Sequence, residues 1–273
     1  MHTVTLPAPD DFDAWRGAAR ALVLAGARPE YVVWQVGASD DLFANADPLP
    51  DATGTLSVPR AFIDLARSAI CHREPERFAL LYTLLHRMQA QRALIDDHAD
   101  PLVRRIEELA KNVRRDVHKM RAFVRFREIA TPSLADGDQE NATYVAWFEP
   151  DHHIVRHNAA FFIRRFANMR WSILTPDLAI HWDSKTLNEG PGALKSDAPD
   201  GDPTEEVWKT YYASIFNPAR VKIGAMLSEM PKKYWKNMPE TALIPGMIAN
   251  AQKREMEMID ASAKQSTSGN QAQ

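Results

Sequence analysis

The stretch from Pro101 to Met120 constrains this chain more than any other. Leu102, Ile106, Leu109, Val113, Val117 and Met120 recur at intervals of 4, 3, 4, 4 and 3 residues, the period of a helix with one buried stripe. Asp100 stands where an N-cap belongs, and Pro101 suits the first turn. At about 100° per residue, Arg104, Lys111, Arg115 and His118 fall on the opposite side. Such a helix must bury one face in a core and turn a cationic ridge away from it. With 273 residues the chain can supply that core, as one large domain or two small ones.

The elements around this helix predict an α+β protein. Residues 1–58 read as a small α/β unit. Thr3–Leu6 and Tyr31–Val36 have strand character, and Asp10–Leu24 places Phe12, Trp15, Ala19 and Leu22 on one helical face. Residues 44–58 are turn-rich. A main domain, 59–260, opens with helices at Pro59–Ala69 and Pro75–Ile95. Strands are expected at Phe123–Ile129, Ala142–Phe148, Trp171–Leu174 and Leu178–Trp182. Residues 131–141 and 188–203 read as loops, and a helix opens at Pro150. The expectation is a central antiparallel sheet of about four strands with helices packed on it, since the connections read as too short for parallel crossovers. The C-terminal third is predicted helical: Thr204–Phe216, a helix starting at Asn217-Pro218 and stopped by Pro231, and Thr241–Ile259. Residues 261–273, rich in Ser, Gln, Thr and Asn, are predicted to be a disordered tail.

The net charge of −3 conceals a division. Residues 104–127 hold nine Lys and Arg against three acids, 153–170 hold four Arg and no acid, and 219–254 hold seven basic residues against two acids. Residues 1–60 and 177–206 are acidic. Basic segments that converge in space suit a polyanionic partner, whereas basic segments that stay apart are solvated faces. The single cysteine, Cys71, excludes an internal disulfide framework, a four-cysteine zinc site and a four-iron cluster, and fits a cytoplasmic location. No apolar run is long enough for a membrane-spanning helix. P-loop, dinucleotide-binding, zinc-protease and hydrolase motifs are absent, and no cofactor is implied.

Three motifs carry chemistry. In Asp116–Arg127 a basic helix passes into a basic strand. Arg115, His118, Lys119, Arg121, Arg125 and Arg127 form either a phosphate-contact surface with interleaved aromatics or a cation-capped helix end. In Trp147–Arg165, His153 and His157 stand four apart on the expected helix, a metal-chelating spacing. With no firm third ligand, polar surface or phosphate contact by Arg164 and Arg165 is preferred, and no metal site is assigned. In the third motif, the Asn217-Pro218 step with Arg220 offers a helix N-terminus to an anion. Lys232, Lys233 and Lys236 surround Tyr234 and Trp235, which are either base-stacking rings or core anchors. Leu243–Ala249 resembles a DNA-binding hairpin only superficially, because the second glycine is missing.

These motifs, in this order, resemble a bacterial family described as DNA-metabolism proteins. The matching stretches include Phe78–Tyr82, Arg115–Arg127, Trp147–Pro150, Arg165-Phe166, Trp171–Asp177, Trp182-Asp183, Ile215–Arg220 and Glu229–Asn237. The resemblance spans about Val4 to Ile259, and His86 stands where the family has an aromatic. It implies a domain that often precedes a uracil-DNA glycosylase-like domain and is associated with a radical-SAM protein of DNA repair. No glycosylase motif is present here, so the resemblance implies a glycosylase-like or radical-SAM protein as a separate partner.

The expected function is therefore an accessory DNA-binding protein of repair or base modification, using a basic cleft. The rival is an enzyme acting on a modified nucleobase, with Asp116, His118, Glu149, His153 and Asp183 as candidate acid–base groups. A third reading is a protein–protein adaptor for the glycosylase or radical-SAM partner.

Overall fold

Asp11 sets the start of the first helix: its carboxylate accepts the Ala14 N–H at 2.8 Å and caps α1, Phe12–Leu24. The flanking strands β1 (His2–Leu6) and β2 (Val32–Val36) pair in parallel, with α1 as their crossover. These and the following elements belong to a computed structural model that describes residues 1–37, 50, 54–129, 142–198 and 229–246. The expected elements at 204–228, most of the helix at 241–259, the tail at 261–273, the loop at 131–141 and most of the loop at 44–58 lie outside the described residues. Asn217 and Arg220 lie outside them too.

The chain divides into two units, residues 1–122 with 149–167, and residues 123–148 with 168 onward. Residue 58 lies inside the first unit, and the aromatic packing shows why. Trp15 on α1 is fully buried and packs on Trp34 of β2 and on Phe62, with ring centroids 6.1 and 6.5 Å away. Trp34 in turn meets Phe78 and Tyr82. Phe62 lies on α2 (Arg60–Ala69), and Phe78 and Tyr82 lie on α3 (Arg77–Ala90). Each buried aromatic contributes on the order of 2 kcal/mol, so the N-terminal α/β segment and these helices share one core. Arg77 is buried in the same unit. Its guanidinium donates to the carbonyls of Ile70, Glu74 and Pro9 at 2.8–2.9 Å and stacks 4.0 Å from the Phe78 ring centroid. Burial brings its pKa down to about 10.

The basic helix is α4, Pro101–Phe123. Asp100 caps it as expected, its Oδ1 accepting the N–H groups of Leu102 and Val103 at 2.9 and 3.2 Å. Ile106, Leu109, Val113, Val117 and Met120 are buried, and Val103 shares the stripe with a half-buried Leu102. The helix runs three residues further than expected and takes Arg121 with it. The strand after it, β3, is only Arg127–Ile129. Arg121, Arg125 and Arg127 therefore do not alternate along one strand.

The second unit is built on a five-stranded sheet in the order β3-β4-β5-β6-β7. Its members are β3, β4 (Thr143–Trp147), β5 (Arg170–Leu174), β6 (Leu178–Trp182) and β7 (Leu187–Pro191). Two expectations are corrected here. The sheet is mixed, because β4 and β5 pair in parallel. The connection between them carries a helix, α5 (Val155–Arg165), and is long enough for a parallel crossover. The fifth strand occupies sequence read as loop. Gly190 and Pro191 signal a turn, but β7 is an edge strand, where proline costs no ladder hydrogen bond. The helix expected from Pro150 begins only at Val155, and residues 151–153 form a bend.

Residues alternate across this sheet. Trp171, Ile173 and Ile180 are buried on one face. On the other, Val145, Leu174 and Ala179 are covered by Trp147, Ala193 and Ala198. The covering segment is held by an Ala193 N–H···O=C Thr175 bond of 2.9 Å.

Candidate nucleic-acid interface

Between residues 109 and 127 the sequence holds one carboxylate, Asp116. Asp116 is 3 % exposed, and its Oδ2 accepts the backbone N–H of His152 at 2.9 Å. With that charge turned inward, the C-terminal half of α4 presents Lys111, Arg114, Arg115 and His118 to solvent and no acid. Lys119 is half-buried.

At its C-terminal end α4 packs on α5. Arg121 Nε donates to Asn158 Oδ1 at 2.8 Å, and its guanidinium lies 4.8 Å from the Phe161 ring centroid. Asn158 is fully buried and also donates to the Met120 sulfur at 3.2 Å. One turn beyond Phe161 lie Arg164 and Arg165, both exposed, in the last turn of α5 where cations complement the helix dipole. Part of two basic segments, 104–127 and 153–170, thus lies on two contacting helices of one unit. Among the described residues, Arg115 and Arg164 enter no ion pair.

Arg125 and Arg127 belong to the second unit. Arg125 Nη1 lies 3.3 Å from the Val124 carbonyl, and Arg127 pairs with Val145 across the β3–β4 ladder. In the same unit Lys232, Lys233, Tyr234, Trp235 and Lys236 lie on one 3-10 turn, Lys232–Asn237. Tyr234 is 2 % exposed and sits between Phe123 and Phe148, at 5.2 and 5.3 Å. Its ring is a core anchor. Trp235 is half-buried, donates from Nε1 to the Met230 carbonyl at 3.0 Å, and has Lys232 6.0 Å from its ring centroid. Lys233 lies 4.6 Å from the Tyr234 ring centroid.

Of the acid–base candidates, Asp116 meets the backbone of the segment that carries Glu149 and His153, while Asp183 belongs to the second unit. Asp116 and His118, two residues apart on α4, point to opposite sides: one is buried, the other exposed. Glu149 is half-buried in the segment before α5. The His153 N–H donates to the Cys71 carbonyl at 2.8 Å. Because α5 starts after it, His153 does not share a helical face with His157, which corrects the expected i,i+4 pair. Asp183, in the second unit, accepts the N–H groups of Lys185 and Thr186 at 2.8 and 2.6 Å, and these bonds lower its pKa. Among the described residues, no three His, Cys, Asp or Glu side chains are grouped to hold a metal ion.

The sequence reading passed over one pair. The rings of His72 and His152 lie 4.0 Å apart. His152 Nδ1 accepts the Arg73 N–H at 3.4 Å, and His72 Nδ1 accepts the Glu74 N–H at 2.9 Å. Burial, then the neighbouring His72, push His152 down to about 4, and burial lowers His72 as well. Arg73 Nε also donates to the Asp151 carbonyl at 2.9 Å. Together with Asp116 and the His153–Cys71 bond, these contacts hold the 71–74 and 151–153 segments to each other and to α4.

No described helix is long and apolar enough to cross a membrane. No curated protein and no solved structure matches the chain. A family model described as a domain of unknown function, DUF4130, matches residues 75–240. That span includes α3 to α5, the whole five-stranded sheet and the Lys232–Asn237 turn, and it exceeds half the sequence. The chain belongs to the DUF4130 family.

Proposed function

We propose that this protein binds nucleic acid as an accessory factor of DNA repair or base modification, with phosphates seated on the exposed cations of α4 and α5. The observation that carries the reading is the inward turn of Asp116, which leaves the exposed surface of the second half of α4 cationic, on a helix whose C-terminal end packs against the α5 that carries Arg164 and Arg165. Phosphate contacts of this kind supply sequence-independent affinity. Arg115, His118, Lys119 and Arg121 with Arg164 and Arg165 make the first contact set. Arg125, Arg127, Lys232, Lys233 and Lys236 make a second on the other unit, with Trp235 as its stacking ring and Tyr234 as its anchor. Asn217 and Arg220 extend that set on sequence grounds. The resemblance to DNA-metabolism proteins favours DNA as the polymer and a glycosylase-like or radical-SAM protein as the partner. Binding is preferred over chemistry because Asp116 is turned inward, away from the exposed His118 two residues on.

The test is a binding titration with labelled oligonucleotides, comparing the wild type with Arg115→Glu/Arg164→Glu. The variant is expected to bind single and double strands more weakly while keeping its melting temperature. Equal affinity of the two proteins, or no binding by the wild type, contradicts the reading.

A further inference from the structure

Where α5 meets α1, α2 and α4, all within the first unit, a run of contacts sets arginines around His157. Arg156 pairs with Asp10, just ahead of α1, at 2.7 Å. The Phe12 N–H donates to the Asp10 carbonyl at 2.9 Å, and Arg67 of α2 lies over the Phe12 ring, 4.8 Å from its centroid. On the other side of His157, Asn158 holds Arg121 of α4, which lies over the Phe161 ring. Arg67, Arg121 and His157 are exposed, and none of the three enters an ion pair among the described residues. Among those residues the Arg67 guanidinium makes no hydrogen bond, and Arg121 bonds through Nε alone. The nearby acids are engaged. Asp10 is taken by Arg156, with its side chain 5 % exposed, Asp11 by the Ala14 N–H at 2.8 Å, and Asp64, one turn before Arg67, by Arg60 at 3.5 Å. Partial burial, then the charge of Arg121 and, opposed by Asp10, that of Arg67 hold His157 below the ordinary histidine value, so its ring is neutral at pH 7.

We infer that Arg67, Arg121 and His157 form a seat for a phosphomonoester, the group found at a phosphorylated strand end and on a free nucleotide. The inference rests on the nucleic-acid reading above for the strand end as its source, and adds a discrete site and a ligand group. A bridging phosphodiester carries a single charge and two unbridged oxygens. A monoester carries about two charges at pH 7 and presents three acceptor oxygens. Donor groups from α2, α4 and α5 match the second. Both arginines are ordered before any anion arrives, Arg121 by Asn158 and Phe161 and Arg67 by Phe12, so less side-chain freedom is lost on binding. Their open Nη groups suit paired bonds to phosphate oxygens, and neutral His157 adds a ring N–H. Arg164 follows His157 by two turns on the same face of α5, about 10 Å along it. A strand that ends at the seat can therefore run on over the exposed cations of α5.

The test uses fluorescence anisotropy on the full chain with one internally labelled oligonucleotide in three forms, ending in a 5′-phosphate, a 3′-phosphate or hydroxyls only. Calorimetric titration with adenosine monophosphate, against adenosine, covers the free nucleotide. The wild type should favour a phosphorylated end by about tenfold over hydroxyl ends, the gain expected of charge-assisted hydrogen bonds. Arg67→Gln should abolish that preference and His157→Gln should reduce it. Thermal melting shows which variants fold, and either one suffices. Because the readout is a ratio between ends, a general loss of positive charge does not move it. If the wild type binds all three oligonucleotides equally, or if the folded variants keep its preference, the seat is overturned while the nucleic-acid reading stands. If it binds no oligonucleotide but binds adenosine monophosphate through Arg67, the seat stands with a free nucleotide as its source and the nucleic-acid reading fails. Binding of neither overturns both.

Discussion

Asp116 shows how a residue can be prominent in a sequence and act differently from its chemistry. It stands among cations as a candidate base, yet its carboxylate is spent on a backbone N–H. Asp116→Ala would leave that buried donor unpaired, and we expect a loss of about 1–3 kcal/mol in urea unfolding. Asp116→Asn, which keeps an acceptor oxygen, should lose less. The sequence revealed that Asp116 was exceptional but not its partner, because His152 lies far along the chain and contributes a main-chain group. The His72–His152 stack was invisible for the same reason, since neither histidine falls in a ligand-type spacing. It makes a pH prediction. His152 titrates near 4 when folded, below the ordinary histidine value of 6.5, so the unfolded chain binds its proton more tightly. This contribution to stability is fully present above pH 6.5 and is lost as pH falls toward 4. The melting temperature should drop across that window, and His152→Gln should flatten the slope. An unchanged slope in the variant would assign the acid sensitivity to other groups.

Among the elements, those with a strong local signal were legible. The 4-3-4 stripe and the Asp100 cap placed α4, and Asp100→Ala should cost about 1 kcal/mol in the same unfolding measurement. The strand–helix–strand order of the first segment was legible too, although neither the Asp11 cap nor the parallel pairing was. What failed was pairing and edges. The sequence marks β4 and β5 as strands but says nothing of which neighbour each takes, and a helix between them admitted the parallel answer. β7 was missed because Gly190, Pro191 and Gly192 signal a turn wherever they occur. Gly192 has a specific reason to be glycine: a Cβ there would collide with the Pro176 carbonyl, where residues 192–193 cross the Thr175–Asp177 turn. Gly192→Ala should therefore destabilise by about 1–3 kcal/mol, read by thermal melting, although it removes no side-chain contact.

For the whole molecule, charge was the most informative property and the least resolved by sequence. Segment counts identified which stretches are basic, but not which of their cations face solvent. The fold supplies that for the first unit: one inward carboxylate and one helix–helix contact place Arg115, His118, Arg164 and Arg165 on exposed surface of neighbouring helices. The ring of Tyr234 went the other way, into a core between two phenylalanines, which basic–aromatic interleaving could not distinguish from a stacking platform. On the proposed reading these outward cations neutralise phosphates. The most direct measurement is the salt dependence of DNA affinity for the wild type and for Arg115→Ala/Arg164→Ala/Arg165→Ala, from about 50 to about 200 mM salt. Wild-type affinity should fall steeply with salt, and the slope should be shallower by about 2–3 in the variant. Identical slopes for the two proteins, or a wild-type affinity insensitive to salt, would contradict it.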